Sequence, residues 1–319
     1  MRGRILIIRG GAIGDFILTL PVLTALRRQF PAVALEVLGY PHIAGLAAAG
    51  GLVEAVRPIE SRPLAGFFAR NGALDAALAE QFAGFHVVLS YLYDPDEIFR
   101  DNLAKVTQAQ VIQGPHRPDE SCPLHAAEQL LEPLQRLAIF DADPVPRLRL
   151  EPRPAPCGCL AVHPGSGSAQ KNWPESRWGE LLAWLVARTP LNLLMVGGEA
   201  EGDRLERLAS ALPRGRCEVL RSAPLPEVAT RLAGCAGFIG HDSGITHLAA
   251  ALGLPGLALW GGTNATVWGP RSERFALVTA PNGRLDELPV ETVVAELRAR
   301  LPEWRTERGG SAGGPPARC

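Results

Sequence analysis

The feature that most constrains this chain is an alternation. Short apolar runs rich in branched residues, each followed by an amphipathic stretch of helical length, recur along nearly the whole sequence, as in a parallel β-sheet covered by helices. ILII at 5–8 leads into a helix from about Asp15 to Gln29, and VALEVLG at 33–39 leads into another. HVVLSYL at 86–92 and AQVIQG at 109–114 continue the series, and a helix around Ala126–Leu137 closes it. Next, DADPVPRLRLEPRPAPCG (Asp141–Gly158) carries five prolines and no apolar periodicity, and reads as a linker. A second series follows: CLAVHPG, a helix near Ser176–Arg188, LNLLMVGG, a helix near Glu201–Leu212, EVL, a helix near Leu225–Ala233, GFIG, a helix near Gly244–Leu252, and GLALWGG. The expectation is an α/β protein of two doubly wound, Rossmann-like domains, residues 1–150 and 151–302, facing a central cleft. A last helix, Val290–Leu301, precedes a segment over 303–319 whose composition predicts disorder.

A length of 319 residues with 47% hydrophobic and 20% charged content suits two globular domains. The formal net charge of -1 offers no basic excess, so nucleic acid is not an expected partner. The six cysteines form no CxxC pair and have no accompanying His spacing; neither a zinc site nor a redox motif is indicated, and reduced thiols are expected. The N-terminus is basic and then apolar, but Arg9 and Asp15 interrupt it, so it reads as a first strand rather than a signal peptide. The longest apolar run, Ile245–Trp260, contains His247 and Pro255 and falls short of the ~20 residues that span a bilayer. The expected location is the cytoplasm, with any membrane contact peripheral.

In open α/β sheets ligands sit outside the carboxyl ends of strands, and three such places carry chemistry. RGGAIGDFILTLP (Arg9–Pro21) has Gly10, Gly11 and Gly14 for a tight turn and places Asp15 at a helix start. A carboxylate there either caps the helix or accepts a proton from a hydroxyl. The spacing is not GxGxxG, which weakens a dinucleotide reading. HPGSGSAQKNWP (His163–Pro174) is a loop of small residues whose N–H groups and hydroxyls, Ser166 among them, can face an anion. It ends in Lys171, one of only two lysines against 30 arginines. A compact ammonium settles between diphosphate oxygens where a planar guanidinium does not, which gives this position a reason to be lysine. FIGHDSGITHLAAALGLP (Phe238–Pro255) ends a strand, turns through Asp242, Ser243 and Gly244, and starts a helix with His247 one turn in, so its free N–H groups and dipole favour an anion. Glu199 and Glu201 follow another strand, where a carboxylate can bind ribose hydroxyls, and the acidic stretch Tyr93–Asn102 reads as a loop able to face a second substrate.

GAIGDFILTLP, HPGSGSAQKNWP and HDSGITHLAAALGLP, in this order and spacing, resemble glycosyltransferase family 9, the heptosyltransferase family, over roughly residues 4 to 302. The resemblance implies a GT-B fold with acceptor bound mainly by the N-terminal half and a nucleotide-diphosphate sugar, ADP-heptose in most members, by the C-terminal half. It implies inverting, metal-independent transfer to a hydroxyl of a glycan or glycolipid, with no cofactor beyond the donor. The acceptor implied is lipopolysaccharide inner core, met at the cytoplasmic face of the inner membrane. By motif, Asp15 is implied as the base and Lys171, Asp242, Ser243, Gly244 and His247 as groups at the diphosphate and sugar. Ser166 falls at the family's small hydroxyl position, and Glu201, with Glu199 as the alternative, at its ribose-binding acid. Gly11 and Ala12 stand where some members have serines, so the acceptor need not be theirs. Still open are a nucleotide-sugar epimerase of the same fold, an NAD-dependent oxidoreductase, and a sugar-binding protein without turnover.

Overall fold

The computed structural model describes residues 3–168 and 171–306. The chain divides into two compact units, one ending at Pro146 and the other beginning at Arg147. The division precedes the expected residue 150 because the linker's second half docks on the following unit: Leu148, buried, donates its N–H to Ala251 O (2.8 Å), and Cys157 donates to Gly234 O (2.9 Å).

In the first unit, β1 (Arg4–Arg9), β2 (Ala34–Gly39), β3 (Ala55–Pro58), β4 (Val87–Ser90) and β5 (Gln110–Gln113) form an all-parallel sheet in the order β3-β2-β1-β4-β5. The helices are α1 (Ile13–Gln29), α2 (Pro41–Ala49), α3 (Ala76–Ala83), α4 (Ile98–Ala104) and α5 (Ala126–Leu131). β1 is buried from Ile5 to Arg9, which is why its run is continuous rather than alternating: a parallel strand covered on both faces has no solvent side.

Three expectations change in this unit. The helix expected over 126–137 stops at Leu131 and tightens into a 3-10 turn over Glu132–Leu137, because Pro133 cannot donate to the α-helical ladder. The acidic stretch 93–102 is a loop only to Glu97, after which Asp94 accepts from the N–H groups of Phe99 and Arg100 and residues 98–104 become α4. β3 has no counterpart in the sequence reading: AVRP is a short edge strand without a full apolar run.

In the second unit, β6 (Cys159–His163), β7 (Asn192–Gly197), β8 (Cys217–Arg221), β9 (Gly237–His241), β10 (Gly256–Trp260) and β11 (Phe275–Thr279) make a parallel sheet in the order β11-β10-β9-β6-β7-β8. Its helices are α6 (Glu175–Arg188), α7 (Arg204–Ser210), α8 (Leu225–Ala233), α9 (Gly244–Ala251), α10 (Ala265–Trp268) and α11 (Val290–Thr306). Glu199–Glu201 is a separate 3-10 turn ended by Gly202 at φ +52°, so α7 starts later than expected. α11 runs to Thr306, past the expected end at Leu301 and into the segment expected to be disordered; the rest of that segment, 307–319, lies outside the described residues.

The second unit's core gathers Trp173, Trp178, Leu181, Leu185, Leu193, Met195, Leu257 and Leu259 between sheet and helices. In each sheet the chain reverses direction beside the first strand: between β1 and β4, and between β6 and β9. The carboxyl ends at such a reversal leave an open crevice, since the loops on either side of it lead away in opposite directions. Among the described residues no helix is long and apolar enough to cross a membrane.

Candidate functional site

The three motifs stand at these reversals. Asp15 belongs to the first unit; Ser166, Lys171, Glu201, Asp242, Ser243, Gly244 and His247 belong to the second.

In the second unit, β6 and β9 are neighbours with His163 opposite Gly240, so their last residues, His163 and His241, bring two loops together. Both imidazoles are buried. His241 Nε2 accepts from the backbone N–H of Trp173 (2.9 Å) and the indole N–H of Trp178 (3.2 Å), while Nδ1 faces Gly165 O at 3.2 Å. Two donors converging on Nε2 leave it no proton, so Nδ1 carries the hydrogen and donates to Gly165. Burial drives the His241 pKa down to about 3, and that of His163 down to about 4 against the opposing pull of Glu201. Both are neutral near pH 7. His163 Nδ1 lies 3.3 Å from Ser243 Oγ and its Nε2 3.9 Å from Glu201. One neutral histidine thus staples the small-residue loop to β9, and the other contacts Ser243 and lies beside Glu201.

Lys171 and Asp242 meet on this frame, with Nζ to Oδ2 at 2.6 Å. The lysine side chain is 42% exposed and the aspartate 10%, so the ammonium keeps open donor directions while the carboxylate is set inward. Ser243 caps α9, accepting from Thr246 N–H at 3.3 Å, and the hydroxyl of Thr246 donates to His241 O. The N–H groups of Gly244 and Ile245 then have no acceptor within the helix, and the dipole adds partial positive charge there. Ammonium and helix start together make a place for an anion with two charged oxygens.

The remaining residues sit deeper. Ser166 is 5% exposed, with Oγ 2.8 Å from Ser168 O and 2.9 Å from Asn172 Oδ1, so its hydroxyl shapes the loop. The Glu201 side chain is 4% exposed and accepts from Gly198 N–H at 2.5 Å. Gly165 and Gly197 must be glycine to admit it, since a Cβ at either would stand 2.1 and 3.0 Å from its carboxylate oxygens. Glu199 is exposed on the same 3-10 turn. His247 is buried in the first turns of α9.

In the first unit Asp15 is the third residue of α1, and its Oδ2 accepts from Ala12 N–H at 2.9 Å. Gly11 has φ +99°, a region L side chains avoid, and its Cβ would lie 2.8 Å from that same oxygen. The other carboxylate oxygen lies 3.7 Å from the guanidinium of Arg9, which is buried and also donates to His116 O at 2.9 Å. Burial lowers the Arg9 pKa, opposed by Asp15 and Tyr91. Sequence reasoning assigned no role to Arg9, His163 or His241; the signal for the histidines was their place as the last residue of a strand, directly before a turn. Among the described residues no group of three His, Cys, Asp or Glu side chains is placed to hold a metal ion.

A 128-residue stretch is 34% identical to lipopolysaccharide heptosyltransferase 1 of Salmonella typhimurium, covering 40% of this chain and 39% of that one. This chain therefore aligns with about two fifths of the length of such a curated relative. The structure of E. coli heptosyltransferase WaaC with ADP superposes with a TM-score of 0.73 at 21% identity, over 93% of this chain and 99% of that one. The E. coli ADP-heptose lps heptosyltransferase II gives 0.75 at 18% identity, over 95% and 99%. At such identities the likeness is one of fold, and the fold is GT-B. The model of glycosyltransferase family 9 (heptosyltransferase) matches residues 135–295, half of the sequence, and the chain belongs to that family.

Proposed function

We propose that this protein is an inverting glycosyltransferase that moves heptose from ADP-heptose to a hydroxyl of a lipopolysaccharide inner-core acceptor, without a metal. The observation that carries this reading is the Lys171–Asp242 pair at the start of α9, held by two neutral histidines at the reversal of the second sheet. Support for the sugar and nucleotide comes from the solved relative that holds ADP and the curated relative named for heptose transfer.

The second unit is the donor side. As the anomeric C–O bond to the diphosphate breaks, negative charge grows on the leaving oxygens while the sugar gains oxocarbenium character. Lys171 and the N–H groups of Gly244 and Ile245 stabilise that charge where it develops, each contributing ~3 kcal/mol by analogy with oxyanion donors. Ser166 shapes the loop beneath, Ser243 and His247 fix the helix start, and Glu201 or exposed Glu199 meets the ribose. The first unit is the acceptor side. Asp15, partly exposed and held by Ala12 N–H, takes the proton of the acceptor hydroxyl as its oxygen bonds to the anomeric carbon. Attack from the face opposite the leaving group inverts that centre. A lipid-linked acceptor brings the protein into peripheral contact with the cytoplasmic face of the inner membrane.

Calorimetric titration of the purified chain with ADP, UDP, GDP and NAD tests the donor assignment. ADP should bind tightest, and Lys171→Ala should weaken it about tenfold or more; Lys171→Arg should recover only part of the loss. A preference for UDP or GDP would change the sugar, and NAD binding alone would overturn the reading.

A further inference from the structure

The loops after β4 and β5 line an open cavity of about 240 Å3 within the first unit. Its most conspicuous member is Tyr93, 71% exposed, whose ring stands 4.6 Å from that of His116 at a tilt of 54°. Two rings exposed at a cavity mouth, at no gain to the core, are a stacking platform for a ligand with an apolar face and a polar rim. The volume is below the ~300–1,000 Å3 of sites for drug-sized molecules, so it suits a single ring.

The polar lining narrows the chemistry. Asp94 already accepts from the N–H groups of Phe99 and Arg100 (3.2 and 3.0 Å) and keeps lone pairs for further donors. Glu97 pairs with Arg100 at 2.7 Å, and Gln113 spends its amide N–H groups on Leu92 O and Gly114 O. Apart from the Tyr93 hydroxyl and the His116 imidazole, what remains is acceptor capacity, from two carboxylates against one guanidinium that is already neutralised. Such a lining receives hydroxyl protons and repels a carboxylate or phosphate.

Position connects the cavity to the chemistry. β4 adjoins β1 at the sheet reversal, and the buried Arg9 donates to His116 O while it faces the Asp15 carboxylate. One guanidinium therefore holds both the cavity wall and the base. We propose that this cavity binds an uncharged pyranose ring of the acceptor, stacked on Tyr93 and His116, with its hydroxyls donating to Asp94 and Glu97. The inference rests on reading Asp15 as the base of a glycosyltransferase.

The test is saturation-transfer NMR on the full chain with methyl glycosides of mannose, glucose and galactose, and of galacturonic acid as the charged control. ADP titration of the same samples reads the donor side separately. At least one neutral glycoside should bind, and the uronate should bind more weakly. Tyr93→Ala and His116→Ala should each lower sugar affinity about tenfold, the upper end of one aromatic contact, and Tyr93→Phe should retain it. ADP affinity should be unchanged in all three variants. Absence of neutral glycoside binding, stronger uronate binding, or equal binding by Tyr93→Ala would each overturn the proposal and leave the donor reading standing. Tyr93-dependent sugar binding in a protein that fails to bind ADP would support the cavity and sink the donor reading instead.

Discussion

His241 makes the second unit sensitive to acid in a way that one substitution can isolate. In the folded chain its Nε2 accepts two N–H groups and its Nδ1–H is given to Gly165 O, so a second proton has no place without separating Trp173 or Trp178 from the ring. Its folded pKa is about 3, against about 6.5 for an unfolded histidine. The folded state therefore binds fewer protons than the unfolded state across that interval. Stability from this group is fully present above about pH 6.5 and is lost as pH falls from there towards about 3. Each pH unit well inside the window costs ~1.4 kcal/mol, and from pH 7 to pH 5 the loss sums to about 2 kcal/mol.

His241→Gln removes the titration and keeps an acceptor oxygen near the position of Nε2. The variant should be less stable at pH 7 by about 1–2 kcal/mol, since the bond to Gly165 is lost. Its stability should then fall less on acidification, by about 2 kcal/mol between pH 7 and 5. Histidines outside this cluster contribute equally to both proteins and cancel, and His163→Gln run alongside reads the share of the one histidine whose charge acts on His241. Urea unfolding followed by tryptophan fluorescence is the assay, because all six tryptophans lie in the second unit and the first is silent. Parallel pH profiles for wild type and variant, within about 0.5 kcal/mol, would refute the assignment of a neutral His241.

Two further expectations concern the first unit. Asp15→Asn keeps the Ala12 contact through the amide oxygen but removes the proposed base; turnover should fall by ~10²–10⁴ with ADP affinity unchanged, and an active variant would exclude Asp15 from proton transfer. Gly11→Ala forces a side chain into φ +99° and against the Asp15 carboxylate, so thermal unfolding should register a loss of ~1–2 kcal/mol and turnover should drop with it; unchanged melting would show that the turn relaxes freely.

The fold was legible wherever burial on both faces leaves a continuous apolar run. β1, β6, β9 and β10 are of this kind, and each appears in the sequence as four or more apolar or small residues ending in a turn. β3 lies at a sheet edge, is only partly buried, and lacks the run that would announce it, whereas β11, also an edge strand and only partly buried, carries the apolar run FALV and was not expected. α4 was hidden by composition: Asp94, Asp96 and Glu97 look like an acidic loop, and only the bonds from Asp94 to the N–H groups of Phe99 and Arg100 reveal a helix start.

The site divides along a different line. The candidate site residues sit in turns or beside them, and turns demand local sequence: Gly11 for its φ, Gly165 for the space Glu201 fills, Ser243 as a cap. Their spacing is short-range and can be read. The groups that hold those turns in place act across the chain, His241 on Trp173 at a separation of 68 residues and Arg9 on His116 at 107. A buried His or Arg carries no pattern in its neighbours, because most of its partners, backbone atoms among them, lie far away in the sequence. The Lys171–Asp242 pair belongs to both classes: each residue is marked by its own motif, yet their contact spans 71 residues and exists only because β6 and β9 are adjacent. The order β6-β9 is therefore what brings two separately readable motifs together into one candidate anion site. A substitution that shifted the register of β9 against β6 would abolish the site while leaving every motif residue in the sequence.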